Sequence, residues 1–129
     1  MQQLSGGCLC GHIRFTAQQP ANPHTCSCDI CQKHSGAQTV VWLEFSRENV
    51  HWVGEGGVPA LFRSSAASSR AFCPRCGSSL GAIDDAPTVA LLSGVFDVPD
   101  TQGFAPEYHA FEDMKPAWWR AIFADDSNG

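Results

Sequence analysis

Three thiols fall within six residues in the stretch Cys26-Ser27-Cys28-Asp29-Ile30-Cys31, and no fourth metal ligand stands beside them. The other four cysteines form two pairs, Cys8-Leu9-Cys10 and Cys73-Pro74-Arg75-Cys76. A closed structural zinc site takes four ligands, whereas a catalytic one takes three and keeps a position open. If the two outer pairs join across the sequence to close one tetrahedron, the triplet is left coordinatively unsaturated. Zinc held by three thiolates carries a net charge of about −1 and is a weaker Lewis acid than zinc held by imidazoles. Splitting water is therefore not its natural task. A soft site of this kind suits a sulfur ligand in the open position, where an incoming thiol is ionised and becomes a nucleophile at neutral pH.

Other arrangements of the same residues are open at this stage. Disulfides are one, although an odd cysteine count and the paired C-x-C and C-x-x-C spacings suit metal better. A closed site of three cysteines and one histidine, drawn from His24, His34 or His109, is another. A zinc ribbon joining Cys28 and Cys31 with Cys73 and Cys76 is a third, and it strands Cys8 with Cys10. In the open-site reading, His34 and His109 are candidates to protonate the alkoxide formed when a thiolate attacks an aldehyde. Lys33, Arg63 and Arg70 are candidates to hold a substrate carboxylate. Set against these roles, each of the five also reads as an ordinary solvated surface group. Trp118 and Trp119 read as core or lid, and Asp97 as a turn residue.

The chain has 129 residues, enough for one domain spanning 1–129 with a modest core helped by metal staples. Its formal net charge is −5, and its eight Lys and Arg residues are scattered, which disfavours nucleic acid as a partner. The N-terminus lacks the charged start and apolar run of a signal peptide, and no stretch approaches membrane-spanning length. The expected setting is the cytoplasm, away from membranes.

The elements that must position the thiols follow from the turn residues. Gly6-Gly7 lead into a hairpin that carries the first pair, with His12 to Phe15 alternating like a half-buried strand. Pro20 to His24 reads as a loop that delivers the triplet. Asp29 favours the first turn of a short helix that Gly36 ends, with Lys33 and His34 in its last turn. Gln38–Phe45 and Val50–Val53 read as two strands paired with one another, and Gly54 to Gly57 breaks the sheet. Leu61-Phe62-Arg63 is a further strand, Ser64 to Ser69 a mobile loop, and Val89 to Phe96 a core strand ending at Asp97. The Cys-Pro-Arg-Cys-Gly unit resembles a zinc knuckle in which Gly77 accepts positive φ. Tyr108 to Phe111 and Lys115 to Trp119 form an aromatic segment over the core or a pocket, and Asp125 to Gly129 reads as a frayed end. The coarse result is a mainly antiparallel β domain with minor α.

Gly7-Cys8-Leu9-Cys10-Gly11, Cys26-x-Cys28-x-x-Cys31 with Lys33 and Gly36, and Arg70-x-Phe72-Cys73-x-x-Cys76-Gly77 together resemble the glutathione-dependent formaldehyde-activating enzyme family, which also includes centromere protein V. Gly94 to Pro99, His109 and Lys115-Pro116-Ala117-Trp118 resemble its C-terminal pattern. The resemblance implies a zinc-stapled β-tent of small antiparallel sheets with two zinc ions per chain. One is a structural zinc on Cys8, Cys10, Cys73 and Cys76; the other is a catalytic zinc on Cys26, Cys28 and Cys31. The implied activity is that of a carbon–sulfur lyase, in which glutathione or a similar thiol adds to formaldehyde or another small aldehyde. The rival class is a zinc-stabilised binding module without turnover. Many relatives place a histidine and an arginine where this chain has Ser27 and Gln32. The metal site should survive that change, while recognition of charged glutathione should weaken, because glutamine cannot offer a bidentate grip on a carboxylate.

Overall fold

The structure is a computed structural model that describes residues 2–120. Its strands are β1 (Gln3–Gly7), β2 (Arg14–Gln18), β3 (Ala21–Cys26), β4 (Val40–Ser46), β5 (Val50–Trp52), β6 (Ala60–Arg63), β7 (Ser68–Phe72), β8 (Ser79–Asp84), β9 (Thr88–Leu92) and β10 (Tyr108–Ala110). The α-helix among the described residues is α1 (Asp29–Ser35). The mainly β expectation is met, with two sheets in the orders β1-β2-β5 and β10-β3-β4-β9-β8-β7-β6. Every pairing between strands is antiparallel except that of β10 with β3, which is parallel.

The sheets meet over an apolar core. Period-two alternation turns Phe15 and Ala17 of β2 inward, and they pack against Leu43 and Phe45 of β4, Val89 and Leu91 of β9, and Phe96. Phe96 holds this core at its centre, edge-on to Phe15 and to Phe104, with ring centroids 5.1 Å away in each case. A second cluster of Ile13, Ala71 and Leu80 backs onto Cys8 and Cys73, and a third of Val40 and Trp42 backs onto the triplet. Among the described residues no helix is long and apolar enough to cross a membrane.

Four local expectations are corrected. Pro20 to His24 is not simply a loop: Ala21 onward belongs to β3. A register shift between Ala21 and His24 and the left-handed Asn22 (φ 50°) take up the proline, and its carbonyl still accepts from Glu107 N. The strands β4 and β5 do not pair with one another. β4 already uses both edges, on β3 and β9, so the 3-10 turn Arg47–Asn49 carries β5 across to β2. The strand from Val89 stops at Leu92, where Ser93–Val95 form a 3-10 turn, and Phe96 follows as a core residue. The loop after β6 is shorter than Ser64 to Ser69, because β7 starts at Ser68. The C-terminal residues Asp125 to Gly129 lie outside the described residues.

Candidate metal centres and the adjoining cavity

The hairpin of β1 and β2 carries Cys8 and Cys10 in its loop, as the glycines and alternation suggest, and the turn between β7 and β8 carries Cys73 and Cys76. These four sulfurs lie within 4.8 Å of one another. Cys8 and Cys10 are 3.6 Å apart and Cys10 and Cys73 are 3.9 Å apart. Zinc–sulfur bonds of about 2.3 Å at tetrahedral angles would set sulfurs about 3.8 Å apart, so the donor set fits one closed ion. Backbone N–H groups support the sulfurs: Ile13 N donates to Cys8, and both Arg75 N and Cys76 N donate to Cys73. Gly77, at φ 81°, turns the chain out of the knuckle and donates its N–H to the Cys73 carbonyl.

The triplet is a separate group. Cys26 ends β3, Cys28 caps α1 by accepting from Cys31 N, and Cys31 lies on the buried side of that helix. Gly36 (φ 78°) ends α1, donating to the Gln32 carbonyl. The three sulfurs also fall within 4.8 Å of one another, with Cys28 at 3.1 Å and Cys26 at 3.5 Å from Cys31. All seven cysteines are unbonded, and among the described residues no histidine or carboxylate joins either group. Neither the Cys3His site nor the zinc ribbon is therefore formed. Within the triplet Cys31 ionises first, its pKa lowered to about 5 by its hydrogen bonds with Cys26 and Cys28 and by Arg70. Cys26 is pushed up, by its bond to Cys31 and by burial.

The flanking groups divide sharply by face. Strand register pairs Phe62 with Arg70 and Ala60 with Phe72, so these four share a face, while Arg63 lies on the other. Arg70 lays both terminal nitrogens 3.6 Å from the Cys31 sulfur and its guanidinium 5.4 Å from the centre of the Trp42 ring. Arg63 instead forms a bidentate pair with Asp85, at 2.6 and 2.8 Å, and bonds the Ala66 carbonyl. His109 and its register partner Thr25 share a 2.7 Å hydrogen bond on the face opposite Cys26 and Ala110. The Trp119 ring lies tilted against His109, with centroids 5.0 Å apart, whereas Trp118 is exposed. His24 is held by the Asn22 carbonyl and by the Tyr108 ring.

Gln32 donates to the carbonyls of Ser27 and Met114, clamping α1 to the segment after β10. Asp97 forms a bidentate pair with Arg14. The Ser27 side chain is buried between the ligands. Of the buried side-chain polar atoms that lack a hydrogen bond among the described residues, all but His12 Nδ1 belong to Ser27, His34, Arg70 and His109. Buried polar atoms are almost always partnered in folded proteins, so the unpartnered atoms of Ser27 and His34, flanking the triplet in the chain, are where a bound group would find polar contacts waiting. His34 has its pKa lowered by burial and by the neighbouring Arg70 charge; His109 has its own lowered by burial.

Beside the triplet opens a cavity of about 450 Å³, lined by Ile30, Lys33, His34, Phe62, Arg70 and Phe72 together with Asp29 and Ser64. Arg70 belongs to its wall and touches Cys31, which joins cavity to sulfur. The sequence reading picks out Lys33, His34 and Arg70 but misses Phe62, Phe72 and Trp42. The available signal was alternation: Phe62 and Arg63 must point to opposite faces of one strand, so only one of them can meet Arg70.

The model of the family described as glutathione-dependent formaldehyde-activating enzyme matches residues 3–114. A comparison with curated proteins gives no match. Among solved structures, the crystal structure of a Rhodobacter sphaeroides protein, a structural genomics target, superposes with a TM-score of 0.60 at 16% identity. It covers 82% of this chain and 98% of its own, and it shares the fold.

Proposed function

Because this chain belongs to the glutathione-dependent formaldehyde-activating enzyme family, we propose that it is a zinc-dependent carbon–sulfur lyase that joins a thiol to a small aldehyde and cleaves the adduct again. The observation that carries the reading is the convergence of three buried sulfurs, with no fourth protein ligand among the described residues, beside a cavity. Zinc held by Cys26, Cys28 and Cys31 would supply an open position at which a substrate thiol ionises. The second ion, on Cys8, Cys10, Cys73 and Cys76, has a structural role. We assign the protein to the cytoplasm, in keeping with seven unbonded thiols.

The chain's own residues divide the remaining work. Arg70 offsets the negative charge that gathers on the sulfurs, and its contacts with Cys31 and Trp42 leave it poorly placed to hold a distant carboxylate. His34 is the proton carrier: its lowered pKa keeps it neutral near pH 7, ready to receive the thiol proton. As the carbon–sulfur bond forms and the carbonyl π bond opens, His34 returns that proton to the new alkoxide oxygen. In cleavage it takes the hydroxyl proton, and the thiol regains it. His109 is less suited, because its strand directs it to the face away from Cys26.

Exchange spectroscopy by nuclear magnetic resonance tests the reading directly. Zinc-loaded protein should speed interconversion of free thiol plus aldehyde with the S-hydroxyalkyl adduct, and Cys28→Ala should not. Absence of both acceleration and thiol binding across a panel of thiols and aldehydes would leave a non-catalytic binding module as the better description.

A further inference from the structure

We propose that the cavity beside the triplet selects a thiol with an apolar, ring-sized body and a single carboxylate, in preference to multiply charged glutathione. This rests on the lyase reading above and narrows its substrate class.

The walls supply the first half of the argument. Phe62 is 67% exposed and Ile30 37% exposed, yet both face the same cavity as Phe72. A phenyl-sized group lying between them would remove apolar surface that the fold itself leaves in water. The volume, about 450 Å³, is in the range of small-molecule sites. Arg70 lies at the junction with Cys31, so a ligand whose sulfur reaches the triplet would extend its body along these rings.

The charges supply the second half. Arg70 is engaged by the Cys31 sulfur and the Trp42 ring, and Arg63 faces away, paired with Asp85. His34 is neutral near pH 7, because burial and the Arg70 charge disfavour its protonation. Among the described lining residues, Lys33 is then the cation left for a ligand. Asp29 lies one helical turn earlier on the same side of α1 and lines the same mouth, so it repels a second carboxylate. Glutathione brings two carboxylates and an ammonium; the cavity offers one uncommitted cation and three apolar walls. Gln32, next to Cys31, is tied to two backbone carbonyls and adds no charge.

The test compares three thiols on the zinc-loaded protein: α-mercaptohydrocinnamate, glutathione and mercaptoethanol, with phenyllactate as a sulfur-free control. Calorimetry should show α-mercaptohydrocinnamate binding at least tenfold more tightly than either other thiol. Nuclear Overhauser contacts should join its phenyl ring to Phe62 and Phe72. Phe62→Ala should weaken it about tenfold and Lys33→Gln about threefold with loss of salt dependence, while mercaptoethanol binding stays unchanged in both. Phe62 and Lys33 are exposed, so both variants should fold. Glutathione binding equal to or tighter than the phenyl thiol would overturn the proposal, as would indifference to Phe62→Ala. X-ray absorption at zinc separates this outcome from failure of the lyase reading. Equal affinity of all three thiols, each adding a sulfur to zinc, sinks the cavity proposal alone. Phenyllactate and phenyl-thiol binding with the same ring contacts, but no added sulfur on zinc, sinks the lyase reading and overturns the selection of a thiol, leaving only a site for the phenyl carboxylate body.

Discussion

Both terminal nitrogens of Arg70 stand 3.6 Å from the sulfur of Cys31, so this half-buried cation is aimed at a ligand atom. The fork geometry spreads one positive charge over the sulfur, and the face of Trp42 holds the guanidinium in place.

Arg70→Met should raise the Cys31 pKa in the metal-free protein from about 5 toward the ordinary 9.0, without reaching it, because the Cys26 bond is the larger cause. The sign for stability follows. A thiol with a depressed folded pKa contributes stability that is full above about 9 and is lost as pH falls through about 5. Thiolate absorbance against pH measures the shift. An unchanged titration in the variant would remove Arg70 from the account.

The two metal groups should differ in lability, since a closed set of four thiolates offers a chelator no vacancy and an open set does. Mild chelation is expected to remove about one zinc per chain while the fold persists. Cys76→Ser should destabilise folding, and Cys31→Ser should chiefly abolish thiol binding. Joint loss of both ions with the secondary structure would contradict the division of roles.

Gln32→Ala deletes two hydrogen bonds to backbone carbonyls, one from Ser27 beside the ligands and one from Met114. The expected cost is about 1–2 kcal/mol, with the larger effect on hydrogen exchange around Ala110 and Met114. A drop in melting temperature without faster exchange there would mean that the clamp acts elsewhere.

Phe96→Ala should cost about 3–5 kcal/mol by chemical denaturation. Its ring meets Phe15, Phe45 and Phe104, so the cavity left behind lies where both sheets contribute and neither can close over it alone. A cost below about 1 kcal/mol would show that the core relaxes into the space.

The division of seven cysteines into four and three was legible from spacing, because ligand number is a chemical rule that survives without coordinates. So was α1, whose cap and terminator are local. Partners of strands were less legible. β5 crosses to β2 only because β3 and β9 have filled both edges of β4, and no residue in β5 itself records that competition. The roles of Arg63 and Arg70 were confused for a similar reason: both are arginines near the second cysteine pair, and only the register of β6 on β7 separates their faces. His109 looked available because its sequence neighbours are polar and aromatic, whereas its parallel pairing with Thr25 sets its direction.

The parallel alignment of β10 with β3 also orders events during synthesis. Ala110 pairs with Cys26 and its carbonyl accepts from Ser27 N, so the triplet gains its outer wall only after residues 108–114 have left the ribosome. The four-thiol set is complete once Cys76 emerges. A nascent chain thus acquires its staple while the future reactive centre is still open to adventitious metals and oxidants. Alkylation of arrested chains should find Cys8 and Cys76 protected at lengths where Cys26 still reacts; protection in the reverse order would refute this sequence of maturation.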